Sequence, residues 1–262
     1  MSWTLATFNV NGIRARLPLL LDWLAARTPS VVCLQETKVT DADFPRQALT
    51  ETGYVVHCWG QKSFNGVAVL SKSQPQEVRV GFDGGQAEDQ ARLLSVLVDG
   101  VWVVNCYVPQ GREVGDPAFV YKLEFLARLR DWLQASFKPR QRYVLTGDMN
   151  VAPADIDVFD PKRMAGKVGC HPDERRALAE LSKLGLSDCF RLHHPDVKQF
   201  TFWDYRLPKS FERNLGWRLD LVLASRPLAK LCASCEVDVG PRGLAKPSDH
   251  TPVLASFDLG QG

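Results

Sequence analysis

The 262-residue chain has no run of 18 or more apolar residues, so no segment reads as a membrane-spanning helix. Its start, Met1-Ser2-Trp3-Thr4-Leu5, enters a strand-like segment without the charged and apolar regions of a signal peptide, and the expectation is a cytoplasmic protein. A glycine-rich phosphate loop is missing, which argues against a nucleotide-binding doubly wound sheet. No Pro/Gly/Ser-rich stretch divides the chain, so residues 1–262 are expected to form one domain rather than the two that length alone would allow. An excess charge of one sign is lacking too: 32 Lys and Arg against 30 Asp and Glu leave a net +2. That total neither requires nor excludes a nucleic-acid partner, which responds to a clustered basic face. The seven cysteines are an odd number, and Cys33, Cys58 and Cys106 lie in apolar runs, as fits a reducing compartment. Cys232 and Cys235 have CxxC spacing, but no second Cys or His pair accompanies them, so the spacing is not read as a zinc site.

What the chain does have is 45% hydrophobic and 24% charged residues, the mixture of a soluble globule with a substantial core. Short β-rich runs alternate with helical patterns. Strands are expected at Thr4–Val10, Val31–Gln35, Tyr54–Trp59, Gly66–Ser71, Glu77–Phe82, Arg92–Val98, Val101–Val108, Arg142–Thr146, Leu219–Ala224, Glu236–Val239 and Val253–Asp258. Asp99-Gly100 marks a hairpin between two of them. Three helices are expected. Leu17–Ala26 has a stripe of Leu17, Leu20, Leu21 and Leu24 and is stopped by Pro29. The second runs from the cap Asp116 and Pro117 to about Ala135, with Val120, Leu123, Leu126, Leu129 and Leu133 inward. The third opens at Pro172-Asp173-Glu174 and ends at Gly185, with Leu178, Leu181 and Leu184 on one face. Eleven strands and few long helices predict an α+β or α/β four-layer sandwich: two mixed sheets face to face, helices outside.

Five polar clusters interrupt or end apolar strands. They are Thr7-Phe8-Asn9-Val10-Asn11-Gly12, Leu34-Gln35-Glu36-Thr37-Lys38, Leu145-Thr146-Gly147-Asp148-Met149-Asn150, Arg218-Leu219-Asp220-Leu221 and Ser248-Asp249-His250. Any one reads equally well as a turn or cap. Together they put carboxylates and carboxamides where core residues belong, and burying those without partners costs several kcal/mol, so they predict one shared polar site or bound ions. Asp148 and Asn150 fall on one side if that segment stays extended. Asp249 beside His250 is a ready acid–imidazole pair that would fix the tautomer and steady the charged form. Asp, Glu and Asn ligands without a Cys/His set suit Mg²⁺, with Mn²⁺ able to substitute, and such an ion meets phosphate oxygens. A phosphodiester is the expected substrate.

In order along the chain, Phe8-Asn9-Val10-Asn11-Gly12, Leu34-Gln35-Glu36-Thr37-Lys38, Gly147-Asp148-Met149-Asn150, Gly216-Trp217-Arg218-Leu219-Asp220 and Pro247-Ser248-Asp249-His250-Thr251-Pro252-Val253 resemble the signature blocks of the exonuclease III family of apurinic/apyrimidinic (AP) endonucleases, over about Thr4 to Phe257. The resemblance implies that Glu36 binds the metal, with Asn11 and Asp249 near it directly or through water and with Asp148 and Asn150 as further candidate ligands. It implies that Asp148 activates the attacking water, that Asn9 and Asn150 orient that water or Asp148, and that Asp220, paired with Asp249, supports His250 against the scissile phosphate. Which group is the general base stays open. Tyr107 matches the family's phosphate-contacting tyrosine. Phe202, Trp217 and Leu219 correspond to an apolar pocket for a flipped-out abasic sugar. Asn11 stands where many AP endonucleases carry Asp, although the bacterial exonuclease III branch also has Asn, and the loop from Ala152 to His171 looks shorter than in exonuclease III.

Basic residues are scattered over loops, among them Arg14, Lys62 and Arg112, and loops framing one site would make a duplex-gripping rim. Arg112 sits where the family pattern varies and where a side chain can wedge into the duplex. The resemblance implies a monomeric DNA repair phosphodiesterase that cleaves 5′ to abasic sites in duplex DNA and leaves a 3′-hydroxyl. It also implies 3′-phosphatase or 3′-phosphodiesterase and 3′→5′ exonuclease activity on blocked 3′ ends, without a membrane or an obligate protein partner. The alternatives are a relative specialised for 3′-end trimming with little AP incision, and a catalytically silent DNA-binding scaffold.

Overall fold

A computed structural model describes residues 2–82 and 90–260. Twelve strands among these residues form two six-stranded sheets. The first holds β1 (Trp3–Asn9), β2 (Val31–Gln35), β3 (Val55–Trp59), β4 (Val67–Ser71), β11 (Cys232–Val237) and β12 (Val253–Phe257), in the order β11-β12-β1-β2-β4-β3. The second holds β5 (Glu77–Val80), β6 (Leu93–Val98), β7 (Val101–Tyr107), β8 (Tyr143–Asp148), β9 (Leu186–Asp188) and β10 (Asp220–Ser225), in the order β5-β6-β7-β8-β10-β9. Each sheet has one parallel pair at its centre, β1 with β2 and β7 with β8, and antiparallel strands on either side.

The sheets pack face to face through Leu5, Val31, Cys33, Val96, Val103, Val144, Val222 and Val253. Helix α1 (Ile13–Arg27) covers the outer face of the first sheet with Leu20, Trp23 and Leu24. Helices α3 (Pro117–Ser136) and α5 (Pro172–Ser182) cover the second with Leu126, Leu129, Leu133, Leu178 and Leu181. This is the expected four-layer sandwich. Short helices α2 (Arg46–Thr50), α4 (Pro161–Met164), α6 (Cys189–His193) and α7 (Arg226–Ala229) complete the described set. None is long and apolar enough to cross a membrane.

Several expectations are corrected. The first helix begins at Ile13 and runs through Pro18, which forgoes the bond an N–H there would make to the Arg14 carbonyl. Val120 is 54% exposed, and Phe119 and Lys122 take the inward face in its place. The third helix ends at Ser182, so Leu184 lies beyond it. Four short helices and β9 are not legible in the sequence because three to five residues carry too little periodicity. Strand β11 starts at Cys232, where a register shift before Ser234 lets Cys232 and Cys235 both reach the core between the sheets.

Reading the inner face in steps of two exposes a gradient. Leu5-Thr7-Asn9, Cys33-Gln35, Val103-Asn105-Tyr107 and Val144-Thr146-Asp148 each run from apolar to polar toward the C-terminal end of a central strand. Asn105 sits in the transition. Its Nδ2 donates to the carbonyls of Leu34 (2.9 Å) and Ala68 (2.8 Å) in the opposite sheet, and its Oδ1 accepts from Gln35 Nε2 at 2.7 Å. Asn105→Ala would strip three partners at once from fully buried groups; it is expected to destabilise the protein by about 3 kcal/mol in urea unfolding, at 1–3 kcal/mol per orphaned group with partial relaxation.

Candidate functional site

The polar ends meet at one edge of the sandwich, and the topology explains why. The C-terminal end of a parallel strand adjoins the N-terminal end of its antiparallel neighbour, so the ends of β1, β2, β7 and β8 share an edge with the starts of β10 and β12. Asp220 opens β10 directly opposite Asp148, and His250 lies three residues before β12. Gly147 makes the approach possible: a Cβ there would meet the Cys106 carbonyl oxygen at 1.9 Å. Gly147 is therefore a strand residue at a close backbone contact, not a turn.

Asn9 is the junction. Its Nδ2 donates to Glu36 Oε1 at 2.8 Å and to Asp148 Oδ2 at 2.9 Å, joining the two sheets. Its Oδ1 accepts from the Asn11 N–H at 3.0 Å, and its carbonyl accepts from Ser248 Oγ at 2.7 Å. Asp148 Oδ1 also accepts from the Asn150 N–H at 2.8 Å, and Asn150 Nδ2 donates to the Val108 carbonyl at 2.9 Å. The two residues meet through a turn with Asn150 at φ 50, not through an extended strand as expected. Glu36 and Asn11 are also left-handed, at φ 51 and 45. Non-glycine residues hold such conformations only where the surroundings over-determine them, a pattern common at functional sites.

His250 is buried with Nδ1 2.7 Å from Asp220 Oδ2 and Nε2 3.6 Å from Asp148 Oδ2. Its acid is thus Asp220; the neighbouring Asp249 turns away and accepts from Asn11 Nδ2 at 2.9 Å. The two neighbours thus take different partners, which overturns both the Asp249–His250 pair and the expected pairing of Asp220 with Asp249. Burial disfavours the imidazolium, but Asp220 and Asp148 outweigh it and hold the ring's pKa up at about 10. The Asp148 carboxyl is lifted by burial and by the charges of Asp220 and Glu36, with His250 opposing. Tyr107 keeps its proton far above the ordinary phenol range, through burial and the charges of Glu36 and Asp148.

Glu36, Asp148 and His250 bring ligand atoms within 4.8 Å of one another. An imidazolium has no free lone pair, which leaves oxygen donors. Lys38 Nζ lies 2.8 Å from Glu36 Oε2 and also donates to Asn11 Oδ1, so these oxygens already converge on a positive charge. A hard divalent cation fits that donor set, with Asp148 and Asp249 alongside.

A cleft of about 750 Å³ opens beside His250 and reaches Glu36, Tyr107, Asn150 and Asp249. Phe202, Trp217 and Leu219 form its apolar wall, and the Phe202 ring lies 4.8 Å from the His250 ring and 5.6 Å from Trp217. Arg112 also lines the cleft. Arg14 and Lys62 are exposed outside it, Arg14 paired with Asp43 at 2.9 Å. Sequence reading missed the supports: Thr201 Oγ1 accepts the N–H groups of Leu219 and Asp220, and Ser248 Oγ accepts that of His250. Ser248 lies within the polar run before β12, whereas nothing in the sequence marks Thr201.

The family model described as endonuclease/exonuclease/phosphatase matches residues 6–250, a span that ends on His250. Exodeoxyribonuclease III of Haemophilus influenzae is 35% identical over 96% of this chain and 98% of its own. An AP endonuclease from Archaeoglobus fulgidus superposes with a TM-score of 0.94 at 43% identity, covering 98% of this chain and all of that one. The Neisseria 3′ phosphatase NExo, solved with a product DNA hairpin, gives 0.94 at 38% identity over 98% and 99% of the two chains. The chain therefore belongs to the endonuclease/exonuclease/phosphatase family, within its exonuclease III and AP endonuclease group of phosphodiester-cleaving DNA repair nucleases.

Proposed function

We propose that this protein is a Mg²⁺-dependent AP endonuclease that cuts duplex DNA 5′ to an abasic site and leaves a 3′-hydroxyl, with 3′-phosphatase, 3′-phosphodiesterase and 3′→5′ exonuclease activity on blocked ends. The observation that carries the reading is the apolar wall of Phe202, Trp217 and Leu219 set against His250. A sugar without its base is the least costly nucleotide to extrude, and such a wall excludes water from it.

Asp148 takes the proton of the attacking water. Its raised pKa suits a base working near neutrality, and Asn9 and Asn150 fix its orientation. His250, charged against Asp220, donates from Nε2 to a phosphate oxygen and stabilises charge that builds in the transition state. Tyr107, kept protonated, is a second donor toward the phosphate. Glu36, with Asn11, Asp148, Asn150 and Asp249 about it, would hold the metal, which when bound neutralises phosphate charge. Arg112 grips the strand at the cleft, and Arg14 and Lys62 extend the basic rim as phosphate contacts.

A second reading, 3′-end trimming with little AP incision, is favoured by the likeness to the Neisseria 3′ phosphatase. Initial rates on internal abasic and 3′-phosphate duplexes, measured side by side, separate the two. With Mg²⁺ the purified protein is expected to nick the abasic duplex, with Mn²⁺ substituting and EDTA abolishing activity. Asp148→Asn is expected to lower kcat by about a thousandfold with DNA affinity largely kept. An abasic duplex left uncut by the wild type with Mg²⁺ would overturn the proposal.

The His250 charge is separately testable. Its folded pKa lies above the ordinary value near 6.5, so its stabilising charge is fully present below that value and is lost as pH rises through about 10. Imidazole NMR of metal-free protein should show His250 still charged at about pH 8, and Asp220→Asn should bring its midpoint down by about a unit or more.

A further inference from the structure

Helix α3 carries a lysine inside its buried stripe. Phe119, Lys122, Leu126, Leu129 and Leu133 succeed one another at spacings of three and four, and Lys122 is 0% exposed. A buried ammonium is costly unless its three hydrogens are all accepted. Here Nζ donates to Glu174, to the Asn150 carbonyl at 2.7 Å and to the Gln110 carbonyl at 3.2 Å. Glu174 is itself 0% exposed, and its Oε2 accepts the N–H groups of Gly169 (2.8 Å) and His171 (3.0 Å). Burial pulls the Lys122 pKa down, and Glu174 opposes that pull.

The groups so held belong to three irregular segments that line the cleft. Asn150 forms the turn that orients Asp148. Gln110 lies in the segment that follows Tyr107, and its side chain accepts the Arg112 N–H at 2.7 Å. Gly169 ends a loop along the cleft rim, and its carbonyl accepts the Ala152 N–H at 2.8 Å. The first two continue the paired strand ends Tyr107 and Asp148, and the Asn150–Val108 and Ala152–Gly169 hydrogen bonds link neighbours, but only the Lys122 ammonium contacts both the Asn150 and Gln110 carbonyls and, through Glu174, the Gly169 loop. Asn150 and Arg112 are both left-handed, at φ 50 and 54, and need outside support. A leucine or methionine in this stripe would pack α3 at least as well, because buried ion pairs contribute little net stability. What an apolar residue could not do is bind two loop carbonyls and, through Glu174, a third loop.

We propose that Lys122, with Glu174, is a positioning residue for phosphodiester cleavage: one buried ammonium ties the Asn150 turn, the Gln110–Arg112 segment and the Gly169 loop to a single point. The inference rests on the functional reading above, and the ammonium touches no reacting atom. It makes kcat depend on the Asn150 turn and KM on the Arg112 segment.

The test uses the full-length variants Lys122→Met and Glu174→Gln, with Leu126→Ala as a core-destabilised control, at a temperature where circular dichroism shows each folded. Hydrogen–deuterium exchange without DNA reads the tie itself, and steady-state cleavage of an abasic duplex with Mg²⁺ reads its consequence. In Lys122→Met, amides of residues 108–112, 149–152 and 168–171 should exchange about tenfold faster, kcat should fall about tenfold and KM should rise, while Leu126→Ala keeps kcat within about twofold. Glu174→Gln should move in the same direction by less, and it decides alone if Lys122→Met does not fold. Unchanged exchange in the three segments, or a kcat matching that of Leu126→Ala, overturns the inference. If the wild type cuts no abasic duplex, the functional reading fails on its own, and the exchange comparison still decides whether the tie exists.

Discussion

The side chain of Asn9 holds two carboxylates together that would otherwise repel. Glu36 comes from the first sheet and Asp148 from the second, and one NH₂ group donates to both. Like charges in a buried site lift each other's pKa or drive the groups apart. Here the carboxamide, the Lys38 ammonium and the His250 imidazolium compensate from three sides. The other contacts of Asn9 carry the same constraint outward: to Asn11, and through Ser248 to the loop that presents His250. The geometry of this polar cluster follows from keeping that one carboxamide satisfied.

The polar layer beneath is what makes the junction affordable. Thr7, Gln35, Asn105 and Thr146 are all fully buried and grade the apolar centre of the sandwich into the site. Gln35 donates to Thr7 within its own sheet and to Asn105 of the other, Asn105 donates back to Leu34 and Ala68, and Thr146 donates to the Leu221 carbonyl of its own sheet, so hydrogen bonds through Asn105 join the sheets where dispersion gives out. The same logic recurs on the outer face, where Lys122 and Glu174 replace apolar packing with a satisfied ion pair. A third buried cluster supports the cleft wall: Arg218 Nε donates to Asp157 at 2.6 Å, and Nη1 lies 2.7 Å from Asp188. Arg218 sits between Trp217 and Leu219, so its anchoring fixes the backbone of both.

Legibility differed with length and periodicity. The central strands and the long helix opening at Pro117 were readable because alternation and a 3.6-residue stripe persist over several turns or residues. The short helices at Arg46, Pro161, Cys189 and Arg226 offered neither. Val120 reads as inward because valine is apolar, and nothing local marks Lys122 as buried; the partners that allow its burial, Glu174, Gln110 and Asn150, are remote in sequence. The five polar blocks stood out for the opposite reason. Each breaks an apolar run locally, so each announces an unusual residue without naming its partner.

The sequence by itself determined which polar side chains stand where core residues belong, since a buried carboxylate or imidazole at a strand end needs compensation that ordinary core residues do not; it left Thr201 unmarked. It also determined the four-layer architecture, through the count and pattern of its strands. Tertiary structure alone decided who pairs with whom. His250 faces Asp220 rather than the adjacent Asp249, and Asn150 reaches Asp148 through a left-handed turn rather than along a strand. The physical reason is that a side chain's neighbour in sequence is not its neighbour in space: the sheets bring together residues far apart along the chain, as the His250–Asp220 and Asn9–Asp148 separations of 30 and 139 residues show.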